Sequence, residues 1–263
     1  MNWPIGQLST DKQNNWITVR IYNIRYTNRY KGLMIMIKKE KKIYFDNELT
    51  GLKESLEKMA NLVEDAISMS IKSLVEQDMD LAAKVIENDD VIDKMELDIE
   101  EQCLQMIALR HPIAKNLRII GCGYKTVSDL ERVADHAVSI AKASQYLSTK
   151  SMVKPLIDIP RMAEIAQNML KDGLNAYFNG DVELAKEVWA RDRTVDDLDK
   201  QIFRELLTFM MEDPHTISRA IHLIFVSNNI ERIADHATNL AERVVYIVNG
   251  ERIKDYSKSN KEE

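Results

Sequence analysis

One seven-residue stretch occurs twice in this chain, and no other feature limits the fold as tightly: Glu131-Arg132-Val133-Ala134-Asp135-His136-Ala137 and Glu231-Arg232-Ile233-Ala234-Asp235-His236-Ala237. The copies stand one hundred residues apart and agree at six of the seven positions. Each lies in a run with apolar residues at helical spacing: Val127, Leu130, Ala134, Ala137 and Ala141 in the first, Ile230, Ala234, Ala237, Ala241 and Val244 in the second. That spacing predicts a helix that buries one stripe, and a stripe of alanines lets a neighbouring helix approach closely. Glu and Asp four residues apart share one face of the helix, off the stripe. Two like charges held there repel unless something positive stands beside them.

The repeat reaches beyond the signature. Asp89, Asp93 and Glu96 recur in the pattern of Asp192, Asp196 and Asp199, and Pro112 matches Pro214. From proline to signature glutamate is 19 residues in the first half and 17 in the second. The two extra residues are placed at Gly121-Cys122-Gly123, where two poor helix formers predict a bend or a thinly packed contact. Helical periodicity runs from Glu48 for about thirty residues, turns at 77–80, resumes from Asp80 to Leu109, stops at His111-Pro112 and continues from Ile113 to Leu147. After a two-proline connection at 148–160 the plan repeats, with helices at 160–178, 181–211 and 215–248. The expected fold is all-α, two tandem and similar three-helix bundles at 46–152 and 153–250, each the size of a small domain, followed by a polar tail at 251–263.

Residues 1–45 differ from the rest. They hold nine Lys or Arg against two acids, and Trp16 to Tyr22 suggests a short strand, followed by a basic stretch from Lys38 to Lys42. A basic arm is one reading; the other places the true start at Met34 or Met36, with a translated leader upstream. Beyond residue 45 the chain has 27 basic and 40 acidic residues, an excess of 13 negative charges. Such a surface repels nucleic acid and anionic lipid and attracts cations. Cys103 and Cys122 have neither zinc-site spacing nor the density of a disulfide scaffold. With no apolar run of membrane-spanning length and no signal-peptide core, a cytoplasmic protein is expected.

If antiparallel helices lie side by side, each half gathers four carboxylates: Asp89, Asp93, Glu131 and Asp135, then Asp192, Asp196, Glu231 and Asp235. A bound cation, Arg132 or Arg232, or protons must compensate them. All-oxygen ligands suit Mg²⁺, Mn²⁺ or Ca²⁺, and a histidine would admit iron or zinc. His136 and His236 point about one hundred degrees further round the helix and are weaker ligand candidates. The plainer reading is a solvated acidic face, with Arg132 and Arg232 stapling neighbouring helices. His111, His215 and His222 suit surface or capping roles, and the methionines suit the core.

Two three-helix halves, each ending in the doubled signature after an Asp-x-x-x-Asp helix, resemble the PhoU family of phosphate-transport regulators over about residues 46–250. Ala134 and Ala234 stand where that family often has Gly, and residues 1–45 have no counterpart in it. The resemblance implies multinuclear metal binding, iron or zinc, at Asp89, Asp93, Glu131, Asp135, Asp192, Asp196, Glu231 and Asp235. It also implies negative regulation of phosphate uptake through the ATPase subunit of a phosphate ABC transporter and a membrane sensor histidine kinase, from a peripheral position on those complexes.

Three functions remain open on the residues themselves. One is a regulator acting by binding, since long smooth helices predict no deep pocket and no phosphate-cradling Gly-rich loop or nucleophile elbow is present. Another is a carboxylate-metal enzyme, although the Glu-x-x-His spacing of di-iron bundles is missing. The third is a metal-free helical scaffold whose acidic faces need Lys or Arg from a partner. Open faces and apolar stripes permit a monomer or a homodimer.

Overall fold

With only 8 Gly and 5 Pro in 263 residues, little interrupts helix propagation, and amphipathic runs of this length are stabilised by packing one stripe against another. The structure, a computed structural model, describes the backbone of residues 15–251 and the side chains of residues 43–251. Its helices are α1 (Asn15–Glu76), α2 (Met79–Glu87), α3 (Asp89–Arg110), α4 (Ala114–Ser148), α5 (Asp158–Asn179), α6 (Val182–Glu212) and α7 (Ile217–Asn249), with a 3₁₀ turn at Pro214–Thr216. The described residues fall into two units, one up to Leu49 and one from Thr50 onward, and the internal repeat lies in the second. There the fold is all-α, in two three-helix halves: α1 from Thr50, the α2–α3 pair and α4, then α5, α6 and α7. The basic side chains 38–42 and the tail beyond residue 251 lie outside the described residues.

Four local expectations are corrected. Residues 16–22 are helical and belong to α1, which begins well before Glu48. Their β-favouring side chains cannot make a strand without a partner ladder, and a helix satisfies its backbone within one segment. The helix expected over 80–109 is broken at Asn88, whose N–H donates to Lys84 O and closes α2. The chain restarts with Asp89 and Asp90 in the first turn of α3, where acids are favoured by the helix dipole.

At Gly121-Cys122-Gly123 α4 runs unbroken. Tyr146 meets Ser218 and Arg118 meets Ile247, so counterparts one hundred residues apart keep their register back to the start of α4. The two extra residues therefore lie before Leu117, in the irregular turn where His111 and Ala114 have positive φ. The second half starts its last helix differently, from the Asp213 cap and the 3₁₀ turn. Finally, long helices do leave a pocket: an open cavity of about 540 Å³ lies between α4 and α7.

The core is built from the predicted stripes. Ala134, Ala137 and Ala141 of α4 and Ala234, Ala237 and Ala241 of α7 are buried, together with Met59, Val63, Met162, Met169 and Leu170 from the flanking helices. Close approach is sharpest at Gly173 of α5, where an added Cβ would stand 3.4 Å from Ala237 O. The connection between halves is pinned by the buried ammonium of Lys154, 3.3 Å from Asp158 Oδ2 and paired with Glu205 of α6. Among the described residues no helix is long and apolar enough to cross a membrane.

Candidate functional site

A helix buries its apolar stripe and leaves the i,i+4 acids beside it at the margin of the contact, half-shielded from water. There charge is costly. In the first half, burial raises the Asp89 carboxyl above its usual range, and Asp93 of its own helix and Asp135 of α4 add to the rise. Glu131 is pushed up to about 7 by burial, then by Asp135, with Glu96 and Asp93 contributing and Arg132 opposing. The four predicted carboxylates of this half thus act on one another across α3 and α4.

The second half repeats the arrangement. Burial, Asp196 and Asp235 raise Asp192. Burial and Asp235 raise Glu231, with Asp196 and Asp199 adding and Arg232 opposing. Glu96 and Asp199 are therefore fifth members of the two clusters, which the repeat had already aligned but which were not assigned to the sites. Asp199 is further held by Ser227 Oγ at 2.6 Å and Asn228 Nδ2 at 3.1 Å. Ser227 and Asn228 follow directly on the apolar run Leu223-Ile224-Phe225-Val226, and that break in the run was the signal available in the sequence.

The arginines do not staple neighbouring helices. Arg132 places Nε 3.4 Å from Glu131 and Nη1 3.1 Å from Asp135, both on its own helix. Arg232 does the same at 3.5 Å and 3.5 Å. An arginine between i−1 and i+3 acids finds its partners locally and loses less side-chain entropy than one reaching across a groove. Besides the arginine, Lys142 acts on Asp89 in the first half and Lys200 lies 3.7 Å from Asp196 in the second; two cations against five carboxylates still leave each face with an excess of negative charge.

The signature histidines lie at the junction of the halves. His136 Nδ1 is 2.9 Å from Asn229 Oδ1, and His236 Nδ1 is 2.9 Å from Asp129 Oδ1. Burial lowers the His136 pKa, the Asn229 hydrogen bond opposing it. Of the other histidines, His111 ends α3 in a left-handed conformation and His222 stacks on Tyr146.

This doubled geometry, two halves each presenting a Glu-Arg-x-Ala-Asp-His helix beside an acidic helix, has counterparts among known proteins. The family model described as "PhoU domain" matches twice, at residues 56–144 and 159–244. The chain belongs to the PhoU family. It is 45% identical over 207 residues to the phosphate-specific transport system accessory protein PhoU homolog of Aquifex aeolicus, covering 79% of this chain and 94% of that protein. Against the corresponding homolog of Clostridium acetobutylicum it is 37% identical over 210 residues, 80% and 96% of the two chains. The crystal structure of PhoU from Pseudomonas aeruginosa superposes with a TM-score of 0.77 at 38% identity, covering 79% of this chain and 100% of that one. That of the phosphate transport system regulatory protein PhoU from Streptococcus pneumoniae gives 0.74 at 28% identity, covering 79% and 98%.

For a PhoU-family chain the acidic faces are the obvious place to test for a metal. Carboxylate oxygens suit a hard cation chemically. Among the described residues, however, no group of three or more His, Cys, Asp or Glu stands where it could hold one ion. Glu131 and Asp135 turn to Arg132, and Glu231 and Asp235 to Arg232. The side chains as placed do not form a coordination shell.

Proposed function

We infer that this PhoU-family chain is a regulator of phosphate transport that acts by binding rather than by catalysis, with its two acidic faces as docking surfaces. The supporting observation is the gathering, twice in the same arrangement, of carboxylates that burial and mutual repulsion hold above their usual pKa. A face in that state gains most from a partner that brings Lys or Arg, because desolvated opposite charges attract strongly and set orientation. The relatives are described as phosphate-specific transport system accessory proteins. The partners proposed are accordingly the ATPase subunit of the phosphate ABC transporter and a membrane sensor histidine kinase, reached from the cytoplasmic side without insertion. Holding transporter and kinase together restrains phosphate uptake and the starvation response.

A second reading fills the same faces with metal ions, iron or zinc, or Mg²⁺ or Mn²⁺, held by Asp89, Asp93, Glu131 and Asp135 and by Asp192, Asp196, Glu231 and Asp235. The excess negative charge favours it; the turning of Glu131, Asp135, Glu231 and Asp235 to arginine does not. Elemental analysis separates the two readings, using protein purified without affinity tag or chelator beside a variant with Glu131, Asp135, Glu231 and Asp235 changed to Ala. Metal-free protein that still binds the transporter, with binding lost in the variant, supports docking by charge. Near-integer metal lost in the variant supports the second reading.

A further inference from the structure

The contact between α4 and α7 relates the halves as if by a two-fold axis, since His136 meets Asn229 as His236 meets Asp129. Each residue of α4 from Leu117 onward has its counterpart one hundred positions later in α7, so the two ends of the contact can be compared side chain by side chain. One end is filled. Tyr146 stacks on His222 with centroids 3.7 Å apart and planes 7° apart, its hydroxyl 2.6 Å from Ser218 Oγ, and Phe225 stands edge-on to His222 at 6.4 Å.

The other end is open. Gly121, Cys122 and Lys125 stand where the filled end has Ile221, His222 and Phe225, and an added Cβ at Gly121 would meet nothing within 4 Å. The space left is the cavity of about 540 Å³. Tyr246 keeps the place of Tyr146, but the walls carry positive groups at three matching positions that are uncharged at the filled end: Arg118 for Ser218, Lys125 for Phe225 and Arg243 for Ala143, with Glu242 the one acid of the lining. In a segment with 13 excess negative charges, three cations set against Glu242 and the Asp129 that pairs with Arg243 leave this cavity with a small positive excess, a local reversal of sign.

The cations are placed rather than loose. Arg118 donates Nε and Nη2 to Ile247 O at 3.2 and 3.0 Å, which fixes the guanidinium at the wall and leaves its other N–H groups to spare. Arg243 is held by an ion pair with Asp129, and its Nη1 lies 3.4 Å from Thr126 Oγ1. Lys125 is exposed at the rim. All three charges act on the buried Cys122 thiol, so they converge on the same space.

The geometry points to a binding site for a small phosphate-bearing anion, its phosphate held by Arg118, Lys125 and Arg243 and the rest lying against Leu117 and Tyr246. Guanidinium forks match phosphate oxygens in pairs, and an ammonium adds a point charge. The volume falls in the range of small-molecule sites and exceeds what a bare oxyanion fills, so a phosphate ester uses the cavity more fully than inorganic phosphate. The site is separate from the acidic faces and stands whether or not anything docks on them.

Calorimetric titration of the full chain in chelator-treated buffer tests this with inorganic phosphate, AMP and ATP, on the unaltered chain and on Lys125→Glu and Gly121→Ile. Saturable binding is expected, weakened about tenfold or more by Lys125→Glu through loss of a charge-assisted contact. Gly121→Ile, which installs the side chain of the filled end, abolishes it. AMP bound more tightly than phosphate marks an ester site, and equal affinity marks the phosphate group alone as the determinant; both support the proposal. Absence of saturable binding by all three, or binding undiminished in both variants, overturns it. Should Gly121→Ile fail to fold, Lys125→Glu at an exposed position decides alone.

Discussion

His136 and His236 face each other across the junction of the halves with ring centroids 5.7 Å apart. Each is anchored by the opposite helix, but the anchors differ: Asn229 for the first and Asp129 for the second. The carboxylate at position 129 is needed because it also pairs with Arg243, whose side chain is only 17% exposed.

Asp129→Asn keeps the shape and removes the charge, leaving Arg243 half-buried without its counter-ion. A loss of about 1–3 kcal/mol in unfolding free energy is expected, read from urea denaturation. Asn229→Ala, which removes a neutral hydrogen bond to His136, costs less, about 0.5–1.5 kcal/mol.

Two glycines inside helices make opposite predictions. Gly121 faces open space, so Gly121→Ala gains helix propensity with nothing to displace and stabilises by about 0.5–1 kcal/mol. Gly173 lies against the backbone oxygen of Ala237 and the side chain of Leu240. Gly173→Val forces α5 and α7 apart and destabilises by about 1–3 kcal/mol. Thermal melting of the two variants orders them on either side of the unaltered chain.

Charge on the acidic faces opposes folding when no partner is bound. The folded-state pKa of Glu131 is about 7 against an ordinary 4.5, so the folded chain binds the extra proton between those values and stability falls as pH rises through them. Glu131→Gln is neutral throughout. In metal-free buffer it is therefore more stable than the unaltered chain at pH 8, and the advantage shrinks on acidification and is gone near pH 4.5. Comparing the two chains at each pH cancels the opposing contribution of His136, whose pKa is lowered.

The connection between halves rests on Lys154, which bridges Asp158 and Glu205 from a buried position. Lys154→Met retains the aliphatic stem and removes the ammonium, leaving two acids without it. Faster amide exchange over residues 149–157 is expected, with the cores of both halves unchanged.

Helical period and the doubled signature made the architecture legible, because an i,i+4 acid pair beside an alanine stripe has one place to go when two such helices pack. Gathering of Asp89 and Asp93 with Glu131 and Asp135 followed from the same register. What stayed hidden depended on single residues in context. Asn88 breaks a periodic run that looks continuous, and residues 16–22 have β-favouring side chains but no partner strand. Arg132 chose its own helix over its neighbour, a matter of reach that spacing does not decide. The cavity came into view only when Gly121, Cys122 and Lys125 could be set against Ile221, His222 and Phe225, which required knowing that the register holds through both helices.

Docking by charge is tested most directly by measuring binding of chelator-stripped chain to membranes containing the phosphate transporter, beside a variant with Glu131 and Glu231 changed to Gln and Asp135 and Asp235 changed to Asn. The stripped chain is expected to bind, binding weakens as salt rises, and the variant loses about tenfold or more in affinity. A stripped chain that binds only after iron, zinc, Mg²⁺ or Mn²⁺ is returned, or a variant that binds as well as the unaltered chain, would contradict it.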